Sequence, residues 1–206
     1  MIVDCKQEKA DFIYRILTGC VVPRPIAWVS SQSTSGVLNL APFSFFNAFS
    51  ADPPIIGLGI GMKSRKNDDG SRDLIPKDTL RNIIDTQEFV VNVVSYENAE
   101  KMNRSSGDYD PTISEFEQTG LTPEPSRFIK PPFVKEALVS MECKLFQQIR
   151  LPSSNIILGE VVCFHIKDET WGEHGIIHEV LQPIGRLAGA AYCKTESTFE
   201  LTRPRV

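Results

Sequence analysis

Asn39-Leu40-Ala41-Pro42-Phe43-Ser44-Phe45-Phe46-Asn47-Ala48-Phe49-Ser50-Ala51-Asp52-Pro53-Pro54 places four of the chain's twelve phenylalanines within seven residues and alternates them with small polar side chains. A strand buried on both faces is bulky throughout, and a half-exposed strand carries charge on its wet face. This stretch does neither, since no residue from Pro25 to Ala51 is charged. Aromatic walls with short hydrogen-bonding groups suit the edge of a flat, polar heteroaromatic molecule.

Upstream of this stretch, Ile26 to Ser30 reads as a strand, Gln32 to Gly36 as a hairpin turn and Val37 onward as the partner strand. Downstream, Ile55 to Met62 is a strand with Gly57, Gly59 and Gly61 on one face, either leaving room for something close to the sheet or packing tightly against another element. Asn67 to Pro76 is polar and reads as a loop. Lys77 to Ile84 has helical spacing, with Asp78 as its expected cap and an end near Thr86. Glu88 to Ser95 is a strand, and a charged helix follows near Glu97 to Asn103. Residues 105–132 are rich in Gly, Pro and Ser, with a helical piece around Ser114 to Thr119, and read as an insertion or lid. Leu138 to Arg150 and Asn155 to Lys167 alternate as two long antiparallel strands. A lead-in helix over Gln7 to Leu17 completes the expectation. The pattern predicts a mainly β fold, a closed or nearly closed β-barrel with helical decorations, and no repeat.

At 206 residues the chain fits one domain spanning 1–206. A formal charge of -4 and a pI near 5.5 argue against nucleic-acid binding, which needs an excess of Lys and Arg. Lys63-Ser64-Arg65-Lys66 is basic but has no aromatic platform, so it fits a small anion better. Five cysteines without a Cys-x-x-Cys pair suit reduced thiols, and the N-terminus lacks the features of a secretory signal; both point to the cytoplasm. Pro42, Asn39, Asn47, Gln32 and seven Ser or Thr residues make a membrane span over 25–51 costly.

Lys77-Asp78-Thr79 at a helix start combines free backbone N–H groups, a full positive charge and a hydroxyl, a set that suits phosphate as well as it suits an ordinary capped helix. Ser64 and Arg65 could meet the same anion, Arg65 through a bidentate fork. His174 and His178 have the i, i+4 spacing of helical metal ligands, but Gly175 weakens the helix and no third ligand is near in sequence, so no metal is expected. His165 alternates within a strand and reads as a packed residue. Nucleophile-elbow, zinc-protease, phosphate-loop and dinucleotide-fingerprint motifs are all missing, so a nicotinamide nucleotide would bind without a Rossmann unit.

Together, Arg24-Pro25-Ile26-Ala27-Trp28-Val29-Ser30, the Asn39 to Pro54 stretch, Lys77-Asp78-Thr79-Leu80-Arg81-Asn82-Ile83, Phe89-Val90-Val91-Asn92 and Pro183-Ile184-Gly185-Arg186-Leu187-Ala188-Gly189-Ala190-Ala191-Tyr192 resemble the flavin reductase-like, FMN-binding split-barrel family that includes flavoredoxins. Ala188 stands where relatives often have Gly. The resemblance implies a homodimer with non-covalent FMN near the subunit interface and NAD(P)H as co-substrate. It implies that Ser44, Phe45 and Asn47 border the isoalloxazine, with Asn39 and Ala41 close by, and that Ser30 faces the ribityl or phosphate end. Ser64, Arg65, Lys77 and Thr79 would hold the phosphate. No catalytic acid or base is implied, because the hydride chemistry belongs to the cofactor. A monooxygenase or an electron-transfer protein would take the electrons. A carrier reduced by a protein donor and a non-catalytic flavin-storage module stay open as alternatives.

Overall fold

The computed structural model describes residues 1–67 and 69–204; Asp68, Arg205 and Val206 lie outside the described residues. Helix α1 (Ala10–Cys20) precedes strands β1 (Ala27–Gln32), β2 (Leu38–Phe43), β3 (Phe46–Ala51) and β4 (Pro54–Gly61). A hairpin of β5 (Lys63–Lys66) and β6 (Arg72–Ile75) follows, then α2 (Asp78–Thr86) and β7 (Glu88–Val93). Next come α3 (Ala99–Arg104), α4 (Glu115–Thr119), β8 (Pro123–Glu124), β9 (Phe133–Val134), β10 (Val139–Arg150) and β11 (Ser154–Ile166). Last are β12 (Trp171–Gly172), β13 (Gly175–Ile176), α5 (His178–Leu181), β14 (Ile184–Arg186) and β15 (Tyr192–Lys194).

Seven strands form one antiparallel sheet in the order β2-β1-β7-β10-β11-β4-β3. Its two outer strands, β2 and β3, are consecutive in the chain and joined only by Ser44 and Phe45. Seven flat strands would hold those edges about 29 Å apart, whereas the joint spans at most about 11 Å. The sheet must therefore curl until its edges meet, which gives the expected barrel. At the seam the Gly59 N–H donates to the Phe45 carbonyl at 2.6 Å.

Strand β1 is buried on both faces, which explains its lack of charge. Ala27 and Val29 point into the barrel with Phe43, Leu58, Ile60, Phe89, Val91 and Ile157. Trp28 points the other way, into a second core with Leu40, Met102, Phe116, Leu121 and Ile184. Leu80 and Ile83 of α2 plug the barrel end, which fixes the helix N-terminus beside β2. Residues 105–132 supply Phe116 and Leu121 to the second core, so the segment is structural cover and not a lid set off from the core.

Several local expectations are corrected. Helix α1 runs through Gly19 to Cys20, three residues beyond the expected end at Leu17, and stops ahead of Pro23, whose ring disfavours helix in the residue before it. Asp78 is the first helical residue and pairs with Arg81, while Lys77 holds the capping position in extended conformation. Of the expected 67–76 loop, residues 72–75 form β6, and Asp68 lies outside the described residues. The glycine face of β4 is covered by the chain's own phenylalanines. A Cβ on Gly57 would lie 2.4 Å from the Phe49 ring and one on Gly59 would lie 2.8 Å from Phe45 Cβ, while Gly61 meets nothing within 4 Å.

One buried carboxylate ties the 126–134 stretch to the sheet. Glu142 on β10 accepts N–H bonds from Arg127 (2.6 Å) and Phe128 (2.8 Å), and its Oε1 lies 2.5 Å from His165 Nε2 on β11. Phe133 stacks on the His165 ring, with centroids 4.2 Å apart. Burial alone would raise the Glu142 pKa, but the bonds from Arg127, His165 and Phe128 outweigh it, and the carboxyl sits below its ordinary range.

Candidate functional site

Two hollows flank β2 at the edge of the sheet. The first, of about 240 Å³, lies between β2, the N-terminus of α2, Lys63 and the turn after α3, and is lined by Asn39, Ala41, Lys77, Thr79 and Glu115 among others. The second, of about 290 Å³, is lined by Pro42 and Ser44 together with Arg24, Arg186 and Tyr192. Ser106 borders both, and neighbouring residues of β2, Ala41 and Pro42, fall one to each. Combined, they fall within the usual size range for a small-molecule site.

A buried polar network sets the floor of the first hollow. The Asn39 amide donates to Glu115 Oε1 at 2.7 Å, and the Leu40 N–H donates to Oε2 at 2.9 Å. The Thr79 hydroxyl donates to Asn39 Oδ1 at 2.6 Å, and Ser31 joins the same oxygen at 3.4 Å while accepting from Asn82 at 3.1 Å. These bonds fix which way the Asn39 amide faces. Burial pushes the Glu115 carboxyl above its ordinary range; the Leu40 and Asn39 donors pull it back only in part, and Asp78 adds to the rise.

Charge at this hollow is uneven. Lys63 is ion-paired with Asp108, and Asp78 with Arg81. Lys77 makes no ion pair among the described residues, and its ammonium stands 5.7 Å from the Phe43 ring centroid. Among the described residues no side chain caps α2, so an uncapped helix N-terminus and an unpaired cation occur together, an arrangement that attracts anions.

Of the residues singled out from the sequence, Asn39, Ala41, Lys77 and Thr79 line the first hollow and Ser44 the second. Phe45 and Asn47 lie exposed across the seam, Phe45 stacked near Tyr14 with centroids 6.3 Å apart, and they line neither hollow. Ser64 and Arg65 are exposed on the β5–β6 hairpin, Arg65 facing Asp73 at 4.0 Å, and neither lines a hollow. Ser30 is a correction. It is fully buried on the Trp28 face of β1, donates to the Pro132 carbonyl at 2.6 Å and lines neither hollow. Lys63, which the sequence offered only within the basic Lys63 to Lys66 run as a small-anion site, lines the first hollow, and sequence reading missed Glu115, which arrives from the segment read as an insertion or lid.

His174 and His178 do not share a helix, because His174 sits in the β12–β13 turn and His178 begins α5. Among the described residues Glu142, Cys163 and His165 bring ligand-type atoms within 4.8 Å of one another. The direct Glu142–His165 bond at 2.5 Å leaves no space for an ion between those two. Among the described residues no helix is long and apolar enough to cross a membrane.

A family profile described as the flavin reductase like domain matches residues 18–179. An uncharacterized protein of Aquifex aeolicus is 43% identical over 190 residues, covering 92% of this chain and 93% of that one. The structure of nitrilotriacetate monooxygenase component B from Bacillus cereus superposes with a TM-score of 0.91 at 36% identity, covering 98% of each chain. The 2-nitrobenzoate 2-nitroreductase NbaA of Pseudomonas fluorescens gives a TM-score of 0.85 at 33% identity, covering 99% of this chain and 96% of that one.

Proposed function

Because this chain belongs to the flavin reductase like domain family, we propose that it is an oxidoreductase that binds FMN without a covalent link and draws hydride from NAD(P)H. The observation that carries the FMN reading is the first hollow, where unpaired Lys77 and the uncapped start of α2 meet an orientation-locked Asn39 amide. When bound, FMN supplies the ring that accepts hydride and stores electrons.

The chain's own groups then divide the work. Lys77 and the first N–H groups of α2 hold the phosphate. Asn39 offers polar contact in one fixed orientation, and Ala41 leaves the wall beside it open to a planar ring. Ser44 lies on the far side of β2, in the second hollow. Phe45 and Asn47, exposed beside Phe49, suit contact with a second copy of the chain, which would complete the site in a homodimer. The names of the two solved relatives, a monooxygenase component and a nitroreductase, support a partner monooxygenase or a small molecule as acceptor. The five free thiols suit a reducing compartment such as the cytoplasm.

The test is the visible spectrum of the purified protein after adding FMN and desalting, followed anaerobically by NADH and then NADPH. Retained flavin that bleaches with either nucleotide supports the reductase; retained flavin that bleaches with neither moves the assignment to an electron carrier or storage module. Lys77→Ala is expected to weaken FMN binding about tenfold, measured by quenching of flavin fluorescence. Unchanged affinity would remove Lys77 from the phosphate site.

A further inference from the structure

The second hollow differs from the first in its charge. Asp78, Asp108 and Glu115 stand among the cations of the first, whereas the second holds two guanidinium groups and no Asp or Glu. Neither Arg24 nor Arg186 forms an ion pair among the described residues. They are nonetheless set face to face by the backbone: Arg24 N–H donates to the Arg186 carbonyl at 2.9 Å, and Arg186 N–H returns a bond to the Arg24 carbonyl at 2.8 Å. Like charges placed directly opposite one another on paired strands repel. Arg24 is also 6% exposed, so water screens it poorly.

Existing bonds account for part of this arrangement and leave the rest open. Arg24 donates to the carbonyls of Thr18 and Val21 (both 2.8 Å) at the end of α1, to the Leu187 carbonyl (3.0 Å), and through Nε to the Ser44 hydroxyl (3.4 Å). That uses four of its five N–H groups. Arg186 donates to the Tyr192 hydroxyl and the Gly189 carbonyl, so three of its N–H groups have no partner among the described residues. Ser44 accepts from Arg24 and keeps its own O–H to give. Tyr14, Tyr192, Ile26 and Pro42 supply apolar wall.

We propose that this hollow is a binding site for a small organic carboxylate with a planar, apolar body, its carboxylate held between Arg24, Arg186 and Ser44 and its body against Tyr14 and Tyr192. A guanidinium fork matches the two oxygens of a carboxylate. The site stands beside the proposed flavin groove and shares only Ser106 with it, so it suits an acceptor that enters separately from the cofactor.

Calorimetric titration with benzoate, benzamide and inorganic phosphate tests it, on the protein with and without FMN. Benzoate is expected to bind, neutral benzamide to bind at least tenfold more weakly, and phosphate to bind more weakly than benzoate. Arg186→Gln should weaken benzoate about 10- to 100-fold, and Arg186→Lys, which keeps the charge and loses the fork, by an intermediate factor. FMN affinity should stay within about twofold in both variants. Equal affinity for benzoate and benzamide, tighter binding of phosphate, or no benzoate binding would overturn the proposal. Competition between benzoate and FMN would overturn it as well, by making the hollow part of the flavin groove. Failure of the protein to bind FMN would refute the flavin reading and leave benzoate binding as it is.

Discussion

Replacing Glu142 isolates the contribution of a single buried carboxylate. In Glu142→Ala the N–H groups of Arg127 and Phe128 lose their acceptor, and His165 loses its partner. A fully buried donor left unsatisfied costs about 1–3 kcal/mol, and because these two bonds are only part-buried the pair costs at most about 2–6 kcal/mol. Water entering beside the partly exposed His165 ring offsets some of this, giving an expected loss of about 3 kcal/mol. With an unfolding entropy of about 2.1 cal/mol/K per residue, a chain of this length should lose about 7 °C in Tm. Glu142→Gln keeps the shape but turns an amide N–H toward existing donors, so it should cost nearly as much. The pH dependence has a fixed sign. The folded-state carboxyl is held below its ordinary value, so its stabilisation is complete above about pH 4.5 and is lost as pH falls through the folded-state pKa. Thermal unfolding followed by circular dichroism at pH 7, 5 and 3.5 should therefore show a gap between wild type and variant that is level from 7 to 5 and narrows below. A gap under about 2 °C at pH 7, or one that widens with acid, would refute the reasoning.

The glycines of β4 should respond unequally to alanine. Gly57→Ala and Gly59→Ala each push a methyl into a phenylalanine and should cost about 1–3 kcal/mol in urea unfolding, while Gly61→Ala meets open space and should be neutral or slightly stabilising. The thiols should also sort by environment: Cys5 and Cys20 are exposed and should alkylate in the native protein at pH 8, while Cys143, buried and with its pKa pushed well up by desolvation, should react only after unfolding. Mass spectrometry of the alkylated protein reads both, and native labelling of Cys143 would count against its burial.

What the sequence made legible was what depends on periodicity. The long alternation in β10 and β11 and the uncharged run through β1 and β2 each report the faces of a strand, and the architecture follows from them. Contacts between segments distant in sequence were not legible. Glu115 reaches Asn39 across 76 positions, and Ser30 is taken out of the groove by Pro132, 102 residues away. On β5 it is Lys63 that lines the hollow: parity turns Ser64 to the other face, while Arg65, on the same face as Lys63, stands further along the hairpin opposite Asp73. The glycine triplet was ambiguous because a ligand and a phenylalanine ask the same thing of a strand, namely a missing side chain.

The two-residue joint between β2 and β3 has a consequence for how the barrel tolerates error. Around the sheet, six pairings each have a register, and in an open sheet a slip in one could be absorbed at a loose edge. Here the first and last strands are tethered by a connection with almost no slack, so the six registers must add up to one value set by Ser44 and Phe45. The irregularities near Ala48, Glu142 and Leu145 then act as fixed offsets within that sum. A one-residue slip anywhere would have to be repaid elsewhere on the ring, which makes the correct register the cheapest arrangement for all seven strands at once.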